Sequence, residues 1–265
     1  MNYFAHARPF LDSPYFAAGT AVPDWLSVLD RKMRVSTKAA QTLVSHPDRR
    51  IADLAGGIVQ HHHDDGWFHQ TRAFAELSIQ LTAAVRKVLP QDDGFRPSFL
   101  GHILVEILLD AALIAAAPEQ LDAYYEALHA IDPHLVGDAV NQVATRPSDL
   151  WPVFIPRFCA ERFLYDYQED AKLLARLNRV MRRLQMQPLP DELLTLCVQD
   201  QFVPVHIEQS VDVDCARRRT GLRQLLGVRQ LLVDRFQTLC EHLVGAVGVG
   251  QLFASAIALG HTQLQ

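Results

Sequence analysis

The chain has 265 residues, 49% of them hydrophobic and 21% charged, with a net charge of −5. That is enough apolar material for one large core or two small ones, and the negative balance argues against bulk electrostatic binding to nucleic acid or an anionic membrane. The first six residues lack a basic start followed by an apolar run, so no secretory signal is expected. No uninterrupted apolar stretch of the roughly 18 residues needed to cross a bilayer is seen either. The four cysteines, Cys159, Cys197, Cys215 and Cys240, form no C-x-x-C pair. They are expected to be reduced thiols in a cytoplasmic protein.

Hydrophobic periodicity is helical nearly throughout, which predicts an all-α fold. Residues 1–20 read as irregular, interrupted by Pro9 and Pro14, and Pro23 is placed to open a helix through Leu29. A helix from Ser36 to Ser45 follows, then one capped by Asp48 through Leu54. Gly56-Gly57 is expected to break or bend the chain before a helix from Ile58 to about Leu89. Pro97-Ser98 starts an apolar helix over Phe99 to Ala117, and Pro118 starts another through Ile131. His134 to Ala144 reads as a short helix, and Pro147, Pro152 and Pro156 mark a loop. Arg157 to Gln185 reads as one long helix, followed by helices from Asp191 to Val203 and from Asp212 to Leu259, the last bending near Gly245, Gly248 and Gly250. Residues 1–118 are expected to form the core, and residues 119–265 a helical extension packed on it as one body.

Four of the twelve histidines and two aspartates fall within residues 61–69, His-His-His-Asp-Asp-Gly-Trp-Phe-His. On a helix His61, Asp65 and His69 share one face, and so do His102, Glu106 and Asp110 further on. Divalent metals that support hydrolysis favour mixed imidazole and carboxylate ligands, and an i, i+4 pair brings two such groups to one point. His61/Asp65 and His102/Glu106 are the two pairs, with His6 and Asp24 as further candidates. Against this stands a solvated histidine tract, since three consecutive histidines must point three ways. For the second face the alternative is a narrow exposed stripe, because burying three ionisable groups without partners is costly. Asp110 and His69 are the least securely placed, between a supporting role and plain surface. No nucleophile elbow and no phosphate-cradling glycine loop is present.

The order of these elements resembles the acyl carrier protein phosphodiesterases, a helical family related to HD-domain metal-dependent phosphohydrolases. Met1-Asn2-Tyr3-Phe4-Ala5-His6 is similar to that family's opening. Asp24, within Gly19-Thr20-Ala21-Val22-Pro23-Asp24-Trp25, falls on its aspartate, and Gly57-Ile58-Val59-Gln60-His61-His62-His63-Asp64-Asp65 matches its Gly-Ile-x-x-His-Arg-x-Ile-Asp at His61 and Asp65. The chain departs where His102 and Glu106 replace two acidic residues, where Ile107 replaces a histidine, where His69 replaces an aspartate and where His62 replaces an arginine. The likeness spans residues 1–115 and implies an HD-domain-like helical bundle with additional C-terminal helices.

It further implies phosphodiester hydrolysis with Mn²⁺ or Mg²⁺, Fe or Zn being alternatives, held by His6, Asp24, His61, Asp65, His102 and Glu106. More than four ligands would allow two metals. His62 or His69 would protonate the leaving oxygen or orient the phosphate, and Arg31, Lys32 and Arg34 would clamp it. The basic runs, including Arg217-Arg218-Arg219, read equally as solvated helix surface. The expected partner is a phosphoester substrate, free or linked to a carrier protein, with neither nucleic acid nor membrane. The C-terminal helices would cap the pocket or form a homodimer interface. A non-catalytic interaction or metal-binding protein on the same scaffold is the second reading.

Overall fold

A computed structural model describes residues 1–89, 96–191 and 193. The described residues are 76% helical and contain no strand, so the fold is all-α. Among the described residues ten α-helices follow in order: α1 Tyr3–Ala7, α2 Pro14–Leu29, α3 Thr37–Gln41, α4 Arg49–Phe68, α5 Arg72–Val88, α6 Arg96–Ala116, α7 Pro118–His129, α8 Pro133–Val143, α9 Trp151–Glu161 and α10 Asp170–Arg183. The helices expected from Asp191 to Val203 and from Asp212 to Leu259, with Arg217, Arg218, Arg219 and the late glycines, lie outside the described residues but for Asp191 and Leu193.

Two helix pairs make the frame, α2 against α4 and α5 against α6, and α1 packs on α2, α4, α6 and α7. One buried cluster runs from Tyr3 through Leu193, so residues beyond 118 share the core of those before it. The first residues are more regular than their prolines suggest. Asn2 caps α1 by accepting from the Tyr3 amide, and Pro14 begins α2, where a missing amide donor has no consequence. Pro23 does not open a helix but sits inside α2. It removes the amide that would bond the Gly19 carbonyl, loosening the ladder beside Thr20.

Gly56-Gly57 does not bend the chain; both lie within α4. Their role is packing. A methyl group on Gly57 would overlap the Phe16 carbonyl, and one on Gly19 would overlap the Leu54 carbonyl, so α2 and α4 meet backbone to backbone. Helix propensity alone favours Gly→Ala by about 1 kcal/mol, whereas overpacking costs about 1–3 kcal/mol. Gly57→Ala is therefore expected to lower the unfolding midpoint in urea. Gly66→Ala, in the same helix but facing open space, is expected to raise it. Equal shifts of the same sign would refute the close-packing role.

The single helix expected from Ile58 to Leu89 is two. The Thr71 side chain accepts from the Phe74 amide and starts α5, so α4 ends at Phe68 with His69 as its C-cap. The loop expected around Pro147, Pro152 and Pro156 is instead α9, because Pro152 occupies its first turn. The helix expected over Arg157–Gln185 breaks at Arg162, which is left-handed at φ 39° and leads into a 3-10 turn over Phe163–Gln168. The Arg162 guanidinium stacks 5.1 Å from the Tyr125 ring and 4.9 Å from the Tyr165 ring, contacts that offset the cost of that conformation.

By length and composition alone α6 is apolar enough to cross a bilayer. His102, Glu106 and Asp110 interrupt the run too sparsely to exclude it. Of its most apolar window 61% is buried against the rest of the protein, as in the central helix of a bundle. Cys159 is a buried free thiol, pushed up to about 11 by burial. The other three cysteines lie outside the described residues.

Candidate metal centre

The close α2–α4 contact sets up the first half of the site. One residue after Gly19 and one turn after Gly57, His61 Nδ1 donates to the Thr20 carbonyl at 2.8 Å. That bond fixes the tautomer and leaves Nε2 as a lone pair facing inward. His61 Nε2 lies 3.3 Å from Asp65 Oδ2, as the i, i+4 spacing predicts. His6 arrives from α1, its ring stacked on that of His61 with centroids 4.1 Å apart. Its outer nitrogen, Nδ1, faces Asp64 Oδ2 at 3.4 Å, and Gln60 in turn donates to Asp64 at 2.6 Å. Its inner nitrogen, Nε2, is buried 3.2 Å from Asp65 Oδ1 but makes no hydrogen bond to it.

That orphaned nitrogen is a test of whether the residues suit a metal. Ligands about 2.0–2.1 Å from a tetrahedral metal stand about 3.4 Å from one another. The spacings of 3.2 and 3.3 Å from the two imidazoles to the two Asp65 oxygens are close to that edge. Each imidazole also has its outer nitrogen held by an oxygen acceptor, the arrangement that orients metal-binding histidines. His6, His61 and Asp65 thus fit a divalent metal. Burial opposes a proton on His6, but Asp64 and Asp65 outweigh it and lift His6 to about 9. Metal uptake must displace that proton. Although burial raises it, Asp65 is held far below the carboxylate range by His6, His61 and the chain's amino terminus.

A second group gathers around Glu106 on α6. Glu106 Oε1 lies 2.8 Å from His69 Nε2 and 3.4 Å from His102 Nε2. The α-ammonium of Met1 joins the two groups, 2.6 Å from Asp65 Oδ1 and 3.2 Å from Glu106 Oε1. Burial opposes this charge, but Glu106 and Asp65 raise its pKa. Both carboxylates therefore face a position at which positive charge is favourable.

Asp110, the third residue of the α6 face, is fully buried and has a supporting task. It accepts from the Phe4 amide at 3.1 Å and the Ala5 amide at 2.8 Å, anchoring the first turn of α1. Asp24 on α2 has its pKa raised by burial, against the pull of His61 and His6, but it belongs to neither close-set triad. His62 donates from Nε2 to the Val35 carbonyl at 2.9 Å. Burial and the neighbouring His61 lower its pKa, so it is neutral near pH 7. His63 faces solvent, as at least one member of the run must.

Arg31, Lys32 and Arg34 are exposed on the segment between α2 and α3. The Arg34 guanidinium folds back to the Met33 carbonyl at 2.6 Å, and the adjoining Val35 carbonyl holds His62. Lys32 and Arg34 instead bond within their own segment and to Thr145. Asp64, the Thr20 carbonyl and the Met1 ammonium are participants the sequence did not reveal. The first lies next to the expected Asp65, but only the tertiary position of α1 gives it a role.

Comparisons with protein-family models, with curated proteins and with solved structures gave no match. The chemistry of the site therefore rests on its geometry.

Proposed function

We propose that this protein is a metal-dependent phosphoester hydrolase with an HD-domain-like site. The observation that carries the reading is the paired arrangement of His6 and His61. Each is held at its outer nitrogen by an oxygen acceptor and turned by Nε2 toward a carboxylate it does not hydrogen-bond or meets at ligand spacing. Two imidazoles and a carboxylate suit Mn²⁺, Fe²⁺ or Zn²⁺ better than Mg²⁺, which favours oxygen donors. A metal held there supplies a Lewis acid and lowers the pKa of its water toward neutrality.

The chain's own groups divide the remaining work. Asp65 presents both oxygens to the two imidazoles, and Thr20 and Asp64 keep those imidazoles oriented. Neutral His62, whose Nε2 proton is committed to Val35, has only Nδ1 left, a proton acceptor. It therefore suits holding a water proton better than protonating a leaving group. Arg31, Lys32 and Arg34 offer positive charge to a phosphate on the side where Val35 meets His62. The motif order over residues 1–115 is what directs the reading to phosphoesters, with a carrier-linked phosphodiester as one candidate substrate.

The second reading, a metal-binding protein without catalysis, is favoured by Ile107, an inert buried residue where the family carries histidine. Hydrolysis of bis(p-nitrophenyl) phosphate by the full chain, stripped with chelator and reloaded with Mn²⁺, Fe²⁺, Zn²⁺ or Mg²⁺ in turn, separates the two. Metal-dependent turnover lost in His61→Ala supports the hydrolase. Bound metal without turnover of this ester or of a phosphopantetheine-linked diester supports the second reading.

A further inference from the structure

His69, His102 and Glu106 form a second close-set triad, in which His69 stands as a candidate ligand and not in the catalytic role expected of it. His69, the C-cap of α4, keeps a right-handed helical conformation with its amide bonded to the Asp65 carbonyl, so it stays on the face of His61 and Asp65 and meets Glu106 from there. The two imidazoles lie against each other at 4.8 Å, and Phe74 packs on both, 4.6 Å from the His69 ring and 4.9 Å from that of His102. Phe74 is itself buried, and its amide is fixed by the Thr71 cap that ends the α4–α5 turn. The pair of rings is thus clamped from one side, with both Nε2 atoms turned to Glu106. Their donor atoms lie within 4.8 Å of one another, as do those of the first triad.

Solvent access distinguishes the two groups. His6 and His61 are buried, whereas the His69 side chain is 31% exposed and that of His102 is 46% exposed. The two triads lie on either side of the Met1 ammonium, which touches both Asp65 and Glu106.

We propose that His69, His102 and Glu106 form a second metal site, solvent-facing and exchangeable, that takes a transition-metal ion such as Mn²⁺ or Zn²⁺ beside the buried site. Two imidazoles with one carboxylate and open positions are a donor set for such ions and a poor one for Mg²⁺ or Ca²⁺. Whether the site binds metal is independent of the hydrolase reading. Its consequence rests on that reading: an ion held by His69, His102 and Glu106 would supply positive charge on the solvent side, where a phosphoester would arrive.

Equilibrium dialysis of the chelator-stripped full chain against Zn²⁺, repeated with Mn²⁺, tests the proposal. Two ions per chain are expected, one tight and one weaker. His102→Ala, at a position already half exposed, should weaken the second ion at least 100-fold or so and leave the tight ion in place. His61→Ala should remove the tight ion and leave a His102-dependent one. A single ion, lost in His61→Ala and bound identically by wild type and His102→Ala, would overturn the second site and leave the first intact. No ion in any variant would overturn both.

Discussion

Asp65→Ala is expected to abolish tight metal binding and any metal-dependent turnover. Its two oxygens are the shared partners of His6, His61 and the Met1 ammonium, and each contact is 3.3 Å or shorter. Losing an outer partner of a metal ligand costs about 10–100-fold in affinity, and losing a ligand that completes the triad costs more. Without the Asp65 carboxylate the buried imidazole of His6 loses one of the two carboxylates that raise it, so its pKa falls toward the ordinary histidine value. Breaking such a buried pair costs about 3–5 kcal/mol, so the variant should also unfold at lower urea. Asp65→Asn separates the two effects. It keeps the side chain's shape, but its neutral amide is a poor metal ligand. Metal affinity measured by competition with a chromophoric chelator should fall at least 100-fold or so in Asp65→Asn; near-wild-type affinity would mean that Asp65 is not a ligand.

The second large effect is a pH dependence of stability centred on Asp110. Burial raises this carboxyl to about 7, against the Phe4 and Ala5 amides that favour its charged form. In the unfolded chain the group titrates near 3.9 or so. Between about pH 4 and pH 7 the folded protein therefore holds a proton that the unfolded chain has released. Asp110's contribution is fully present at the acid end of that window and is lost as pH rises through 7, with a limiting slope of about 1.4 kcal/mol per pH unit. Asp110→Asn removes this slope. It also leaves one amide of the α1 turn without its carboxylate oxygen, at a cost of about 1–3 kcal/mol at low pH. Urea unfolding at pH 5, 6 and 7 should show a flatter profile in Asp110→Asn than in wild type. Parallel profiles would show that Asp110 does not hold a proton in the fold.

What the sequence revealed of this site follows from the reach of local spacing. His61 with Asp65, and His102 with Glu106, are i, i+4 pairs on helices with clear periodicity, and both meet as expected. His69 shares the face of His61 and Asp65, as the spacing predicts, because its amide still closes the last turn of α4 on the Asp65 carbonyl. What local spacing does not supply is its partner, Glu106 on α6, which helix packing brings to 2.8 Å. Asp110 looked like an even choice between surface and support, since a carboxylate in an apolar helix gains its partners from a distant segment, here the amides of residues 4 and 5. Gly56-Gly57 was misread for a related reason. Glycine that breaks a chain and glycine that admits another helix backbone look the same in one dimension, and only the proximity of Phe16 and Gly19 distinguishes them. Pro152 and Pro156 suggested a loop by count, yet Pro152 occupies the first turn of α9, where a proline is tolerated, and Pro156 lies inside the same helix.

The central claim is that His6, His61 and Asp65 bind a divalent transition metal. Elemental analysis of the purified full chain, reloaded with Mn²⁺ or Zn²⁺ and dialysed free of excess, tests it most directly when run beside His61→Ala. The account predicts at least one ion per wild-type chain and a tight-site ion missing from the variant. Wild-type protein that carries no metal and takes up none on titration would contradict it.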